Sequence, residues 1–511
     1  MAPEQAGQPG RAAQAERAEQ PELAAQSAQS EQSAEPQLQR GLHARHLTMI
    51  AVGGAIGTGL FVASGETISQ AGPGGALVAY GLIGMMVYLL MQSLGEMAAY
   101  LPVAGSFEEY GRRFVSPSFG FATGWNYWYN WAITVAAELS AAALVMKYWY
   151  PDTPGWVWSA VFLALLILLN ALSVRTYGEG EFWFALIKVV TVLAFIAVGL
   201  LMIAGVFGAS PGLAHWTEGE APFVNGGAGI LAVFMVAGFS FQGTEMVGIA
   251  AGEARDPATT VPRATRTIFW RILIFYIGAI VVVGTLVAYS DPNLLRTDIS
   301  DIAVSPFTLV FERAGVAFAA AVMNAVILTA VLSAGNSGLY VSTRMLFALA
   351  EQGSAPKFLA RLTRRGVPLN AMIITILVAT ACFISSFMGD GKAYAWLVNA
   401  SGLAGFITWM GIAWSHYNFR RAFIAQGRSL DELPFKARFY PAGPIVALVM
   451  CAVVIVGQSY LIITSGGGAL DLLSSYIGLP LFFGLWWGHK LVTKSPAADL
   501  AHADLSAPKI S

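Results

Sequence analysis

The feature that most constrains the fold is a series of apolar stretches of roughly 20 residues, the length that an α-helix needs to cross a bilayer. Twelve such stretches recur, at about 47–68, 74–99, 118–148, 156–173, 181–206, 226–250, 267–290, 314–350, 368–388, 394–416, 440–463 and 470–490. The third and eighth exceed the length of a perpendicular crossing, so we expect them to tilt or to extend beyond the bilayer. The pattern predicts an all-α membrane protein with twelve transmembrane helices.

Composition supports a membrane protein. Hydrophobic residues make up 56% and charged residues 12% of the chain, where soluble domains have about 45–50% and about 25%. So few charges would not cover a soluble protein of this size, which argues against a cytosolic enzyme. The net charge of -1 lacks the basic balance of a nucleic-acid-binding protein. Both cysteines, Cys382 and Cys451, lie in apolar runs, so we expect neither a disulfide framework nor a metal site.

The distribution of Lys and Arg predicts the orientation. Residues 1–40 are rich in Ala, Gln, Glu and Pro without a signal-peptide-like apolar run, and we interpret them as a disordered tail. With the N-terminus in the cytoplasm, 24 of the 29 Lys and Arg residues fall in inner segments, four in outer loops and one within the fifth span. Because cytoplasmic loops carry the excess of these residues, both termini are predicted to be cytoplasmic, with a second tail at 491–511.

Two predicted helices contain glycine-rich segments where we expect the helix to break. They are GGAIGTG at 53–59 in the first span and GFSFQGTE at 238–245 in the sixth. Glycine lets the backbone leave helical geometry, and the freed polar groups are tolerated in hydrocarbon only beside a polar cavity. The alternative is that these glycines only allow close helix packing. Two broken helices five spans apart favour an inverted repeat of five plus five helices with a ligand held at the breaks.

Such breaks have a defined chemistry. Half-helix N-termini present N–H groups and a positive dipole end to an anion, while unwound carbonyl groups accept from a cation. A zwitterion satisfies both, and an amino acid is the simplest ligand of this kind.

Several segments together resemble the amino acid permeases of the amino acid–polyamine–organocation superfamily, in the bacterial amino acid transporter branch. They are RHLTMIAVGGAIGTGLF, AGPGGAL, SLGEMAAYLPVAGSF, GEGEFWFALIKV, FSFQGTEMVGIAAGEARDP, VPRAT, ILTAVLSAGNSGLYVSTRMLFALA, APKFLA, GVP and DELPFK, and they cover residues 42 to about 490. The segments FWRILIFYIGAIVVVGTLVAYSDPNL, ISDIAVSPFTLVFE and NAVILT are most similar to lysine-specific members. Permeases for aromatic amino acids, proline, alanine, serine, glycine and γ-aminobutyrate share most of the other motifs.

The resemblance implies a fold of the LeuT type and a bacterial cytoplasmic-membrane location. The helices would form a first repeat at 41–206, a second repeat at 207–420 and two further helices at 421–490. The N–H groups of Thr58 and Gly59, next to Gly57, would hold the substrate carboxylate. The α-ammonium would be held by carbonyl groups in the two breaks, from Ala55, Phe239 and Gln242, with Ser240 beside them. Phe239 would also act as the aromatic gate; the alternative is a packing aromatic.

Lys188 is a candidate for proton coupling. It follows Glu181 by about two helical turns, which places it inside the membrane on the fifth span. Its ammonium would either snorkel to the headgroups or remain buried, and charges at depth usually mark function. The resemblance places it where sodium-driven relatives bind a coupling sodium, which implies proton symport with Lys188 as the coupling site.

One face of the third span carries four side chains within about 60°: Tyr127, Trp131, Thr134 and Glu138. We interpret this stripe, with Asn130 beside it, as a pocket wall whose aromatic rings and carboxylate would match a cationic side chain. The alternative is that Glu138 pairs with another intramembrane group. Glu245 would contact the substrate ammonium through water or tie span six to spans one and eight. Glu253 would belong to an inner gate or to a surface pair with Arg255, and Glu96 is interpreted as solvated. Further candidate pocket residues or helix-to-helix contacts are Asn324, Ser333, Asn336, Asn399 and Ser401.

Other function classes find little support. Residues 208–212 match G-x-S-x-G, but they lie in a predicted outer loop without the strand that a nucleophile elbow needs. The sequence has no Walker A motif for an ATP-driven pump. We therefore expect a secondary transporter whose partners are an amino acid, a proton and the lipid bilayer, with no cofactor, metal or nucleic acid. A sensor role through another membrane protein stays open.

Overall fold

The computed structural model describes Met49 and residues 56–506 except 104, 172–173, 209, 252–255, 295–304, 316, 364 and 465–467. Two predicted site residues, Ala55 and Glu253, lie outside the described residues. All regular secondary structure within the described part of the chain is helical.

The α-helices are numbered in chain order. They are α1 Thr58–Phe61, α2 Ala63–Tyr100, α3 Phe107–Phe114, α4 Pro117–Met146, α5 Gly155–Asn170, α6 Val174–Ile203, α7 Gly226–Phe239, α8 Met246–Ala251, α9 Pro257–Arg271, α10 Gly278–Leu286, α11 Pro306–Arg313, α12 Ala317–Glu351, α13 Leu369–Ala379, α14 Ser385–Met388, α15 Asp390–Ala425, α16 Ala442–Gly457, α17 Tyr460–Thr464, α18 Ala469–Tyr476 and α19 Gly478–Thr493. A π-helical turn, Ile272–Ile277, joins α9 to α10, and 3-10 turns lie at Ala214–Trp216, Lys357–Ala360, Thr380–Ile384 and Leu430–Glu432.

Seven of the described helical segments are long and apolar enough to cross a membrane. They are Ala63–Tyr100, Pro117–Met146, Glu179–Ile203, Pro257–Leu286, Phe318–Glu351, Leu369–Met388 and Asp390–Ala425. Three shorter apolar helices, α5, α7 and α16, accompany them. The prediction of an all-α membrane protein with several apolar spans is therefore confirmed. One helix begins before its predicted limit: α9 begins at Pro257, whereas the predicted span begins at about 267. Proline is favoured in the first turn of a helix.

Helix α2 contains the junction between two predicted spans. Gly72 has φ +73° and ψ 171°, which is a conformation that glycine adopts readily, and Pro73 restarts the helix. The Pro222 carbonyl accepts from the N–H groups of Gly74 and Gly75 at 2.9 and 3.2 Å, which satisfies donors at this new helix start. The segment before Gly72 is thus the second half of the first predicted span, and the segment after it is the second predicted span.

The helices differ in burial. Helices α4 and α15 are largely buried, and α4 packs against α12, α15, α3 and α19. Helix α6 instead exposes large apolar side chains, among them Trp183, Val190 and Leu200, as expected for a lipid-facing helix. The region around α4 is therefore the interior in which a polar site is shielded from lipid.

The chain after α19 folds back onto short helix α3 and the end of α15. Ala498 N–H donates to the Val115 carbonyl at 2.9 Å, and Arg113 forms an ion pair with Asp504 at 3.2 Å. Leu505, within this segment, is buried. Residues 494–506 are therefore docked, where the sequence predicted only a tail.

Candidate binding site at two broken helices

The first break lies at Gly57. Its backbone angles, φ -141° and ψ -149°, are not helical, and α1 begins at the next residue. Phe61 N–H donates to the Gly57 carbonyl at 3.1 Å, so the N–H groups of Thr58, Gly59 and Leu60 come before the first intrahelical bond. These groups and the helix dipole make Thr58 the positive end of a half-helix.

The second break lies between α7 and α8, at residues 240–245. Gly243 has φ +93°, which a residue with a side chain rarely adopts, and this interrupts the helix. The Phe239 carbonyl accepts from Gln242 N–H at 3.1 Å, and the Phe241 carbonyl accepts from the Thr244 hydroxyl at 2.6 Å. The Phe239 side chain is itself buried at the end of α7.

The two breaks touch each other. A Cβ added to Gly59 would lie 2.3 Å from the Cα of Ser240, so this contact depends on the absence of a side chain. The Tyr80 hydroxyl lies 2.8 Å from the Ser240 hydroxyl and 3.4 Å from the Gly59 carbonyl. Tyr276 donates to the Ser240 carbonyl at 2.8 Å. The tyrosine hydroxyls thus stabilise backbone that the helices leave unpaired.

Glu138 reaches the first break from α4. Its Oε1 accepts a hydrogen bond from the Thr58 hydroxyl at 3.0 Å, and a Cβ added to Gly57 would lie equally close to that oxygen. The side chain is buried, and its Oε2 has no hydrogen-bond partner among the described residues. A carboxylate therefore stands at the positive end of α1, with one oxygen free to accept from a ligand.

Thr134 and Asn130, on the same face of α4, belong to a network with α15. The Ser401 hydroxyl lies 2.6 Å from the Thr134 hydroxyl and donates to Asn130 Oδ1 at 2.8 Å. Gln242, in the second break, donates through Nε2 to the Ser401 carbonyl at 3.2 Å. This network joins α4, α15 and the second break.

Further unpaired polar atoms lie on α4. Asn130 Nδ2 and Trp131 Nε1 are buried without a hydrogen-bond partner in the described part of the chain. A buried polar group left unpaired costs about 1–3 kcal/mol, so these donors and Glu138 Oε2 favour a polar ligand beside α4. Trp131 packs against Gly338 of α12, where an added Cβ would lie 3.1 Å from its ring.

Glu245 braces the second break. Both of its carboxylate oxygens accept from Gly243 N–H at 3.2 Å. Tyr127 donates to Oε1 at 3.4 Å, and Trp409 donates through Nε1 to Oε2 at 3.3 Å. These contacts join the second break to α4 and α15, the predicted spans three and ten, whereas the sequence suggested spans one and eight.

Lys188 forms a buried ion pair on α6. Its Nζ lies 3.7 Å from Glu181 Oε1, and both residues are 0% exposed. The Ser333 hydroxyl donates to the Glu181 carboxylate at 2.9 Å. Lys188 also interacts electrostatically with Glu138, which links this pair to the first break. The ammonium therefore lies in the interior and does not snorkel.

The sequence interpretation missed two carboxylates. Glu181 was considered only as a marker for the depth of Lys188. Because the two residues are seven positions apart, both side chains lie on the same helix face. Glu96 was interpreted as solvated, and this was wrong. It is fully buried, and it pairs with Arg420 at 2.5 and 2.6 Å.

The two cysteines lie in helical segments, and the esterase-like segment lies between two helices. Cys382 and Cys451 are free and buried. The G-x-S-x-G match lies between α6 and α7, and the described residues there include no strand. Within the described part of the chain, no group of three His, Cys, Asp or Glu side chains could hold a metal ion.

Comparisons with known proteins agree with this architecture. A family model described as "Amino acid permease" matches residues 46–502. The chain is 59% identical over 464 residues to the lysine-specific permease LysP of Escherichia coli. This alignment covers 89% of this chain and 94% of that protein. It is 49% identical over 482 residues to LysP of Lactococcus lactis, and 47% identical over 478 residues to the histidine permease HisP of the same species. These alignments cover 93% of this chain and 94% and 99% of the two relatives.

Among solved structures, the chain is similar to a manganese transporter of Eremococcus coleocola. The TM-score is 0.53 and the sequence identity 16%, with 88% of this chain and 93% of that chain covered. At this identity the match shows the fold alone, which is that of a LeuT-type transporter.

Proposed function

The chain belongs to the amino acid permease family, whose members are membrane transporters and not enzymes, and on this premise we propose that it imports L-lysine by proton symport. Alternating access would occur around the two breaks. We propose twelve transmembrane helices, with inverted repeats at 41–206 and 207–420, helices eleven and twelve at 421–490, and both termini cytoplasmic. The membrane would be the bacterial cytoplasmic membrane.

The observation that carries this proposal is the position of Glu138. Its carboxylate stands at the N-terminus of α1, bonded to Thr58, where an amino acid carboxylate would also bind. Two carboxylates at one helix terminus repel each other. We propose that the substrate carboxylate takes the N–H groups of Thr58 and Gly59, and that Glu138 pairs with a substrate ammonium through its free oxygen.

The rest of the substrate would lie along α4. Carbonyl groups of the breaks, including those of Ala55, Phe239 and Gln242, would accept from the α-ammonium. Trp131 and Tyr127 would cover the methylene chain, and Phe239 would close over it from outside. With Glu138 facing the side-chain ammonium, a cationic amino acid is favoured, since a neutral side chain would leave the buried carboxylate without that partner.

Proton coupling is assigned to the buried pair of Lys188 and Glu181. A lysine inside the membrane is stable when charged only if a carboxylate faces it, so loss of its proton and rearrangement of the pair are linked. Helix α6 carries this pair beside the region of the first break. The occupancy of that proton site would then depend on the conformation of the broken helix.

The names of the relatives support a basic amino acid as the substrate. Two of them are named lysine-specific permeases, and a third, nearly as similar as one of these, is named a histidine permease. Permeation of aromatic or other neutral amino acids is the alternative within the family. A lysine transporter that also acts as a membrane sensor is a further alternative.

Uptake of radiolabelled lysine into proteoliposomes tests the proposal. Because about 2.3 kcal/mol per charge is available from a potential of 100 mV, lysine would accumulate even without protons. The potential is therefore held at zero with potassium and valinomycin, and an inward proton gradient is imposed. We expect a gradient-driven overshoot that unlabelled lysine abolishes and phenylalanine or alanine does not.

A variant separates transport from coupling. Lys188→Ala should bind lysine but lose the response to the pH gradient. If this variant responds as the parent does, Lys188 is not the coupling site, whatever the substrate. Competition by phenylalanine or alanine would instead disprove selectivity for lysine. The proposal of a substrate site at the broken helices would be unaffected.

A further inference from the structure

A groove at one end of the helix pair α2 and α9–α10 is lined by basic and aromatic side chains. Its volume is about 570 Å³, within the range of about 300–1,000 Å³ typical of ligand clefts. The lining includes Tyr88, Gln92, Arg266, Trp270, Lys436 and Arg438. It is separate from the breaks and from the buried pair on α6.

The two helices fix the depth of this groove. They run side by side, because an added Cβ on Gly284 would lie 2.7 Å from Pro73, and one on Gly95 would lie 2.7 Å from Thr265. At about 1.5 Å per residue, Arg266 lies about 27 Å along the helix from Gly284. Gln92 lies about 28 Å from Pro73 by the same measure. Pro73 begins the second predicted span, so it and the neighbouring Gly284 mark one face of the membrane. The two distances approach the hydrocarbon thickness of about 30 Å, so the groove lies at the opposite face.

The groove faces the side that the distribution of Lys and Arg predicts to be cytoplasmic. That leaflet carries the anionic lipids that attract basic residues near the membrane surface. Trp270 is 59% exposed on the outer surface of its helix, as expected for an aromatic side chain at the headgroup level. The groove is therefore accessible to lipid.

Its positive charge is uncompensated at two positions. Lys436 pairs with Asp431 at 2.5 Å. Arg266 and Arg438 are exposed, and neither forms an ion pair or hydrogen bond with another described residue. The nearby carboxylate of Glu96 is already bound to Arg420. Two guanidinium groups are thus free to bind a phosphate, which they can contact through paired N–H donors.

Gln92 supplies a second, independent indication of a ligand. Its side chain is 5% exposed and lines the groove, yet its Oε1 has no hydrogen-bond partner in the described part of the chain. A buried acceptor of this kind needs a donor. The hydroxyl groups of a glycerol headgroup are such donors, and unlike an ethanolamine ammonium they bring no positive charge beside Arg266 and Arg438.

We propose that this groove binds an anionic phospholipid with a hydroxylated headgroup, of the phosphatidylglycerol type. Arg266 and Arg438 hold the phosphate, Gln92 accepts from a headgroup hydroxyl, and Trp270 and Tyr88 pack along the glycerol backbone. The site bridges α2, α9 and the segment between α15 and α16. Bound lipid therefore stabilises the contact of these three elements.

Native mass spectrometry of the purified full-length chain tests the proposal, with titrations of dioleoyl-phosphatidylglycerol, dioleoyl-phosphatidylethanolamine and inorganic phosphate. We expect one phosphatidylglycerol to be retained in preference to phosphatidylethanolamine. The variant R266Q/R438Q should bind it about 30-fold more weakly, because each basic residue near an anionic surface contributes about 1 kcal/mol. Q92L should weaken binding of phosphatidylglycerol and leave that of phosphatidylethanolamine unchanged.

The matched control is R263Q/R421Q, which removes two exposed arginines outside the groove and changes the net charge equally. It should bind phosphatidylglycerol within about threefold of the parent. Thermal unfolding without added lipid checks that each variant is folded. Equal weakening in the two double variants, equal binding of both lipids, or displacement of lipid by millimolar phosphate would each overturn the proposal.

Discussion

Lys188 and Glu181 face each other on α6, with 3.7 Å between Nζ and Oε1 and neither side chain exposed. Ser333 of α12 donates to the same carboxylate, so the pair also joins two helices. An ion pair inside a membrane persists only when each charge compensates the other. The two residues are therefore interdependent, and removing one should affect the other.

The first prediction concerns this interdependence. Glu181→Gln should lower the free energy of unfolding by about 3–5 kcal/mol, because Lys188 would lose its compensating charge. The double variant Glu181→Gln/Lys188→Met should recover most of that stability but show no uptake driven by a pH gradient. Thermal unfolding in detergent and proteoliposome uptake measure the two effects.

Glu179→Gln is the matched control for that experiment, since it removes a partly exposed carboxylate from the same helix. Its melting temperature should fall by less than that of Glu181→Gln, because a partly exposed carboxylate stays in contact with solvent. A double variant no more stable than Glu181→Gln would show that the pair does not act as a unit.

The second prediction concerns the substrate charge that Glu138 meets. Glu138→Gln should weaken lysine binding by about tenfold to a hundredfold, the range for loss of one charged hydrogen bond. Norleucine has the lysine chain without the terminal ammonium. Its binding should change little if Glu138 meets that ammonium, and competition titrations with both ligands measure the difference.

Equal losses for lysine and norleucine would assign Glu138 to the α-ammonium. No loss for either ligand would remove Glu138 from the substrate site. Thr134→Val is the comparison variant on the same helix face. It removes the Thr134 hydroxyl, which bonds to the Asn130 carbonyl and to the Ser401 hydroxyl.

The sequence allowed the all-helical class and the positions of the two breaks to be predicted, because both depend on local chemistry. Apolar length marks a span, and the glycines at 53–59 and 238–245 mark where helical backbone is weakest. The partners of charged residues were harder to predict, since they are set by tertiary packing. Glu138 meets Thr58 across 80 positions, and Glu96 meets Arg420 across 324 positions. The periodicity of a sequence carries no information about contacts between residues so far apart along the chain.

The third prediction tests the contact between the breaks. Gly59→Ala would place a methyl group 2.3 Å from the Cα of Ser240, so one of the two broken segments must move. We expect loss of lysine uptake and a lower melting temperature. Gly81→Ala is the control, because an added Cβ there meets no atom within 4 Å and alanine favours a helix. Wild-type uptake by Gly59→Ala would disprove the close approach.

The fourth prediction concerns Glu108, on the short helix α3 outside the membrane spans. Burial, and then the neighbouring charge of Glu109, raises the pKa of Glu108 from 4.5 to about 7. The folded chain therefore binds this proton more tightly than the unfolded chain does. Its contribution to stability falls as the pH rises from about 4.5 to about 7, by up to about 3 kcal/mol.

Glu108→Gln mimics the protonated side chain and should remove this pH dependence. The variant should melt at the parent's temperature at pH 4.5 and above it at pH 8, because only the parent then buries a charge at this position. Glu109→Gln is the contrasting variant: Glu109 pairs with Arg112 at 2.6 Å and Arg113 at 2.5 Å, so its loss should lower the melting temperature at pH 8. If Glu108→Gln melts below the parent at pH 8, the ionised carboxylate stabilises the fold, and the pKa of Glu108 is not raised by burial.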